Sequence, residues 1–130
     1  PAVNSHRSLL LLATAPDEEG RLRQARDGLK RHGRILARSG VVHGPSVVEG
    51  DATRYANQAL LLASELPRSE FADWLKSLER HLGRRPEQPT CVIDIDLVGE
   101  CDANGAMTWQ NDAKLDAPLF QELVAKVLRR

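Results

Sequence analysis

Charge of neither sign dominates this sequence. Eighteen Lys and Arg balance eighteen Asp and Glu, so the formal net charge of the 130 residues is zero. A general attraction to nucleic acid or to an anionic membrane is therefore not expected. No apolar run reaches the length that spans a bilayer. The opening stretch, PAVNSHRS, lacks the apolar core of a secretory signal. There are only two cysteines, Cys91 and Cys101, in no zinc-like spacing, and they read as reduced thiols of a cytoplasmic protein. The four histidines, His6, His32, His43 and His81, have no metal-like spacing either. No Gly-rich phosphate loop is present, which argues against a common nucleotide kinase. A single globular domain over 1–130 fits the composition, 42% hydrophobic and 28% charged.

Along the chain, S-L-L-L-L-A-T at 8–14 reads as a buried strand. Thr14 with Asp17 resembles a capping box, and Pro16 suits a first helical turn. These signals predict a helix over 15–32, with acidic residues at its start and basic ones at its end. Gly33 would close it, and Leu22, Ala25 and Leu29 form its apolar stripe. R-I-L-A-R-S-G-V-V-H at 34–43 predicts a strand, and 44–53 a long loop. Y-A-N-Q-A-L-L-L-A-S-E at 55–65 is ambiguous: propensity favours a helix, while alternation and length allow a strand. The clearest helix opens at Pro67 or Ser69 and closes at Gly83. There Phe71, Trp74, Leu75, Leu78 and Leu82 recur at helical spacing. Glu79 lies roughly 75° from the centre of that stripe, at the edge of the buried face. A loop at 84–90, a turn at 103–106 and an amphipathic helix over 116–128 complete the chain.

If 55–65 is a strand, the order is β-α-β-β-α-β with a C-terminal helix, an α+β, ferredoxin-like sandwich. Such a sheet carries helices on one face and leaves the other open to a ligand.

V-I-D-I-D-L-V at 92–98 carries the chemistry. Strand residues two apart share a face, so Asp94 and Asp96 stand together, with Ile93, Ile95 and Leu97 opposite. Two such carboxylates repel unless a cation lies between them or one holds a proton. A divalent metal that also carries phosphate is the usual cation. The plainer alternative is a solvated strand edge. The pair is expected on the open face or at an edge, because burial beneath helices would be costly.

Y-A-N at 55–57, L-E-R-H-L-G-R at 78–84 and I-D-I-D-L at 93–97 resemble one family in order and spacing. It is the 6-hydroxymethyl-7,8-dihydropterin pyrophosphokinases of folate synthesis, and the resemblance runs from about residue 8 to about residue 100. It implies a ferredoxin-like fold and transfer of pyrophosphate from ATP to the pterin hydroxymethyl oxygen, with release of AMP. It implies two Mg2+ ions between the aspartates and the ATP phosphates, with Asp94 and Asp96 as ligands. It places Asn57 on the pterin ring, Tyr55 in the pocket wall, Glu79 at the nucleotide site, and Arg84 and Arg85 on the phosphates.

The chain also departs from the family pattern. Ala13-Thr14-Ala15 stands where the family has Gly-Ser-Asn, and Cys91 where a phosphate-binding Arg is expected. His43-Gly44-Pro45 replaces Arg-Thr-Pro. The stretch 100–118 offers Trp109 as a pterin stacker and Lys114 as its one basic residue. Three functions are consistent with these residues: the pterin kinase, a catalytically degenerate relative that binds a pterin, a nucleotide or a protein, and another metal-dependent phosphoryl or nucleotidyl transferase.

Overall fold

Four consecutive leucines are apolar on both sides of a strand, so that strand must be covered on both. A computed structural model, describing residues 6–45, 50, 52–88 and 91–128, places them at the centre of a six-stranded sheet. The elements are β1 (His6–Thr14), α1 (Gly20–Leu29), β2 (Gly33–Arg38), β3 (Val42–Pro45), β4 (Arg54–Ser64), α2 (Arg68–His81), β5 (Asp94–Cys101), β6 (Met107–Gln110) and α3 (Pro118–Leu128). The strand order is β2-β4-β1-β5-β6, with β3 pairing farther along β4, and all pairings are antiparallel. The order β2-β4-β1-β5, with α1 and α2 as crossovers, is the ferredoxin-like arrangement, so the fold is α+β.

The ambiguous segment 55–65 is thus a strand. Residues 56–62 are all buried, because β4 is internal and covered on both faces. Such a strand reads as an apolar run without clear alternation, and tertiary burial overrides its helical propensity.

Leu10, Leu12, Leu60 and Ile95 pack against Leu22 and Leu29 of α1 and Phe71 and Leu75 of α2. The second face is not left open, contrary to expectation. Leu123, Val124 and Val127 of α3 pack on Leu9, Leu11, Ala59, Leu61 and Val98. The alternation of β1 demands this: its odd leucines face away from α1 and α2 and need their own cover. Because α3 lies mainly over β4, β2 and β1, part of β5 stays accessible.

Three local expectations need correction. A 3-10 turn, Pro16–Glu18, precedes α1, and the cap position falls on Ala15, with no side-chain cap. Thr14 is still in β1, paired with Ala56 and fully buried, so its hydroxyl does not cap. The helix ends at Leu29, and Gly33 opens β2 instead of closing α1. A Cβ at Gly33 would lie 2.6 Å from the Ala63 carbonyl oxygen, so close strand approach selects glycine there. The predicted strand 34–43 is broken at Ser39, whose backbone N–H donates to Ala59 O at 2.9 Å. The Ser39 hydroxyl accepts from the Ala59 N–H, also at 2.9 Å.

Residues 46–49 and 51 of the predicted loop 44–53, and 89–90 of the loop 84–90, lie outside the described residues. No helix among the described residues is long and apolar enough to cross a membrane.

Candidate functional site

Sheet register sets the site. Asn57 of β4 lies opposite Ala13 of β1, and Ala13 lies opposite Asp94 of β5. The next row is Ala59, Leu11 and Asp96. Directly paired residues share a face, so Asn57, Asp94 and Asp96 stand on the α3 side of the sheet. The apolar cover of α3 reaches Leu11 and Ala59, whereas Ala13 is only half-buried. The side chains of Asp94 and Asp96 are 32% and 25% exposed, enough for a solute to reach them.

The two carboxyls hydrogen-bond to each other. Burial and Asp94 push Asp96 up to about 7, with Lys114 opposing. Burial acts on Asp94 in the same direction, but the Asp96 hydrogen bond, Arg84 and Glu79 outweigh it and hold Asp94 below the usual carboxylate range. One proton between two carboxyls is the expected response to like charges in contact.

Arg84 reaches this pair because Gly83, at φ 108°, turns the chain at the end of α2. Its Nη1 donates to Asp94 Oδ1 at 2.8 Å and to Glu79 Oε2 at 2.9 Å. Glu79 leaves the edge of the α2 stripe as the periodicity predicts, and it is buried. The same Oε2 accepts from the Ile95 N–H at 2.6 Å. That amide lies on the outer edge of β5, where β6 pairs only with Gly99 to Cys101. Burial raises the Glu79 pKa, opposed by the Ile95 amide and by Arg84. Glu79 therefore supports the strand and orients Arg84.

Cys91 lies beside this cluster, its thiol donating to Ile93 O at 3.1 Å. Burial pushes its pKa up despite the charge of Arg84, so it is not poised as a thiolate. Both cysteines are free.

The remaining sequence-derived residues sit farther out. Asn57 is buried and donates to Tyr55 O at 3.1 Å and Val42 O at 3.3 Å. Its row neighbour Asp94 is two strand spacings away, about 10 Å. Tyr55 is half-buried on the same strand, opposite Gly44 of β3. Arg85 is exposed and donates to the carbonyls of Arg80 and Arg84, capping the end of α2. Trp109 carries the Arg68 guanidinium 4.2 Å from its ring centroid, and Arg68 also pairs with Glu100 at 2.9 Å. The face of the Trp109 ring thus carries Arg68.

Sequence reasoning gave Lys114 no role, yet its Nζ lies 3.4 Å from Asp96 Oδ2. The turn bearing it is tied down by the Asn111 N–H on Val98 O at 2.9 Å. The available signal was its place as the single basic residue in the stretch after the acidic strand.

No three His, Cys, Asp or Glu side chains form a metal cage among the described residues. The two carboxylates present fit magnesium. It takes one or two carboxylates and fills its other positions with water and phosphate oxygens. Asp94 and Asp96 are the residues that would hold it.

No curated protein matches the chain. The family model for 7,8-dihydro-6-hydroxymethylpterin-pyrophosphokinase matches residues 10–118, a span that takes in β1 from Leu10 onward, the Asn57 row, α2 with Glu79, Arg84, the acidic pair and Lys114. With most of its length and its whole acidic site inside that match, the chain belongs to the pterin pyrophosphokinase family of folate biosynthesis.

Proposed function

We propose that this chain transfers pyrophosphate from ATP to the hydroxymethyl oxygen of 6-hydroxymethyl-7,8-dihydropterin, releasing AMP. The observation that carries the reading is the acidic pair with its flanking cations: Arg84 on Asp94 and Lys114 on Asp96. Magnesium bound at Asp94 and Asp96 would neutralise phosphate charge there.

The rest is the work of the chain. Transfer forms a bond from the pterin oxygen to the β-phosphorus, releases the proton of that hydroxyl to solvent, and breaks the bond from that phosphorus to the oxygen that leaves with AMP. Negative charge shifts onto that leaving oxygen, and cations held in place favour the shift. Arg84, steered by Glu79, and Lys114, carried on the turn after β6, approach the phosphates from two sides. Asn57 and Tyr55 contribute the pterin end, where an amide both donates and accepts. For Asn57 this requires its amide to turn from the Tyr55 and Val42 carbonyls. Arg85 would reach the nucleotide only by leaving the helix end it caps.

A second reading is a relative that binds without efficient turnover. It is favoured by Cys91, a neutral thiol beside Arg84 where the family resemblance expects a second arginine. The decisive experiment follows AMP from ATP, magnesium and the dihydropterin. The wild-type protein is expected to form pterin-dependent AMP, and an Asp94→Ala, Asp96→Ala double variant none. Folded wild-type protein that forms no AMP beside an active control enzyme sinks the kinase reading and leaves the binding module.

A further inference from the structure

At the opposite edge of the sheet, cations gather without matching carboxylates. Residues 20–38 hold seven Lys or Arg and one carboxylate, Asp27, in a chain of zero net charge. Arg23, Arg26, Lys30 and Arg38 converge on one groove of about 500 Å3 between α1 and β2, lined also by one carboxylate, Asp27, and by Ile35 and Ala37. The spacing 23, 26, 30 places three of them on one face of α1. Lys30 has Asp27 at 3.8 Å. Among the described residues, Arg23, Arg26 and Arg38 form no ion pair.

Arg26 is held by a neutral group instead. Its Nη1 donates to Gln58 Oε1 at 2.8 Å. Gln58 is 3% exposed, and its Nε2 donates to Ser39 O at 2.7 Å, which fixes which end of the amide meets the arginine. A buried amide so aimed sets the direction of a guanidinium without cancelling its charge. Burial lowers the Arg26 pKa, Arg38 and Arg23 lower it further, and Asp27 opposes them. Positive neighbours thus work against the Arg26 charge, and the single carboxylate of Asp27 offsets them only in part.

We propose that this groove binds a ligand bearing two or more phosphoryl groups, at a place separate from the acidic pair. Guanidinium forks match phosphate oxygens in pairs, and three unpaired ones call for more charge than one carboxylate supplies. The volume falls within the range of small-molecule sites, roughly 300–1,000 Å3. β4 and β1 separate β2 from β5, three spacings of about 4.8 Å each, so the two sites do not share a ligand.

The test is calorimetric titration of the intact protein with inorganic tripolyphosphate in EDTA, where magnesium chemistry at Asp94 and Asp96 is silent. Saturable binding is expected, weakened about tenfold or more by Arg26→Gln with Arg38→Gln. Arg23→Gln, at an exposed position that leaves Gln58 untouched, repeats the direction of the effect if the double variant folds poorly. Asp94→Asn with Asp96→Asn keeps wild-type binding, which separates this proposal from the kinase reading. Pyrophosphate and ADP are titrated beside it. Tighter ADP assigns the groove to a nucleotide and equal binding to the phosphate chain alone, and either supports the proposal. The proposal is overturned by the absence of saturable binding, by a loss that follows the aspartates, or by an equal loss in Arg31→Gln with Arg34→Gln, which removes the same charge from the adjoining surface.

Discussion

One oxygen of Glu79 meets both the Ile95 amide and the Arg84 guanidinium in a buried setting. Removing it leaves a strand-edge N–H without its acceptor and an arginine with one partner fewer. Glu79→Ala is expected to lower the unfolding free energy by about 2–3 kcal/mol, read from urea denaturation. A change within error would mean that water takes over both bonds. Thr14 is the opposite case. Its hydroxyl is the one buried side-chain polar atom without a hydrogen-bond partner among the described residues. Thr14→Val keeps the shape and removes that desolvated group, so stability should rise by about 1 kcal/mol. A fall would reveal a partner for the hydroxyl. At this scale the sequence was legible for Asp94 and Asp96, because a two-residue spacing in a strand has one meaning. It was not legible for Lys114, whose distance from Asp96 depends on how a turn folds back.

Elements were legible where period and length agreed. The α2 stripe from Phe71 to Leu82 and the edge position of Glu79 follow from helical geometry alone. Segment 55–65 and the end of α1 were not, since both turn on what packs against them. Gly33 shows this most directly, because it looks like a helix terminator in sequence but serves the approach of β2 to β4. Gly33→Ala is expected to cost about 1–3 kcal/mol, as its Cβ meets backbone that cannot move aside. Gly20→Ala, with open space around the added Cβ, should be neutral or stabilising. Parallel thermal melts of the two variants check the contrast. Equal melting temperatures would mean that the two strands separate at little cost.

Across the whole molecule, zero net charge conceals a division. Unpaired arginines lie at the α1–β2 edge, and the acidic pair lies on β5 across the sheet. A cation that binds the folded pair stabilises by mass action. At a hundredfold excess over its dissociation constant, magnesium should add about 2.7 kcal/mol of stability. Asp94→Asn with Asp96→Asn should abolish that gain. Scanning calorimetry with and without magnesium reads both, and a gain that survives in the double variant would place the metal elsewhere. The sequence by itself determined the secondary periods, the shared face of the two aspartates and the segments that carry the family resemblance, because these depend on spacing along one chain. Only the tertiary structure decided that α3 covers half of the second face, that Glu79 and Arg84 close on the edge of β5, that Lys114 reaches Asp96, and that the arginines of α1 and β2 share a groove. Each depends on through-space distance between residues far apart in the chain, which packing sets and local pattern does not encode.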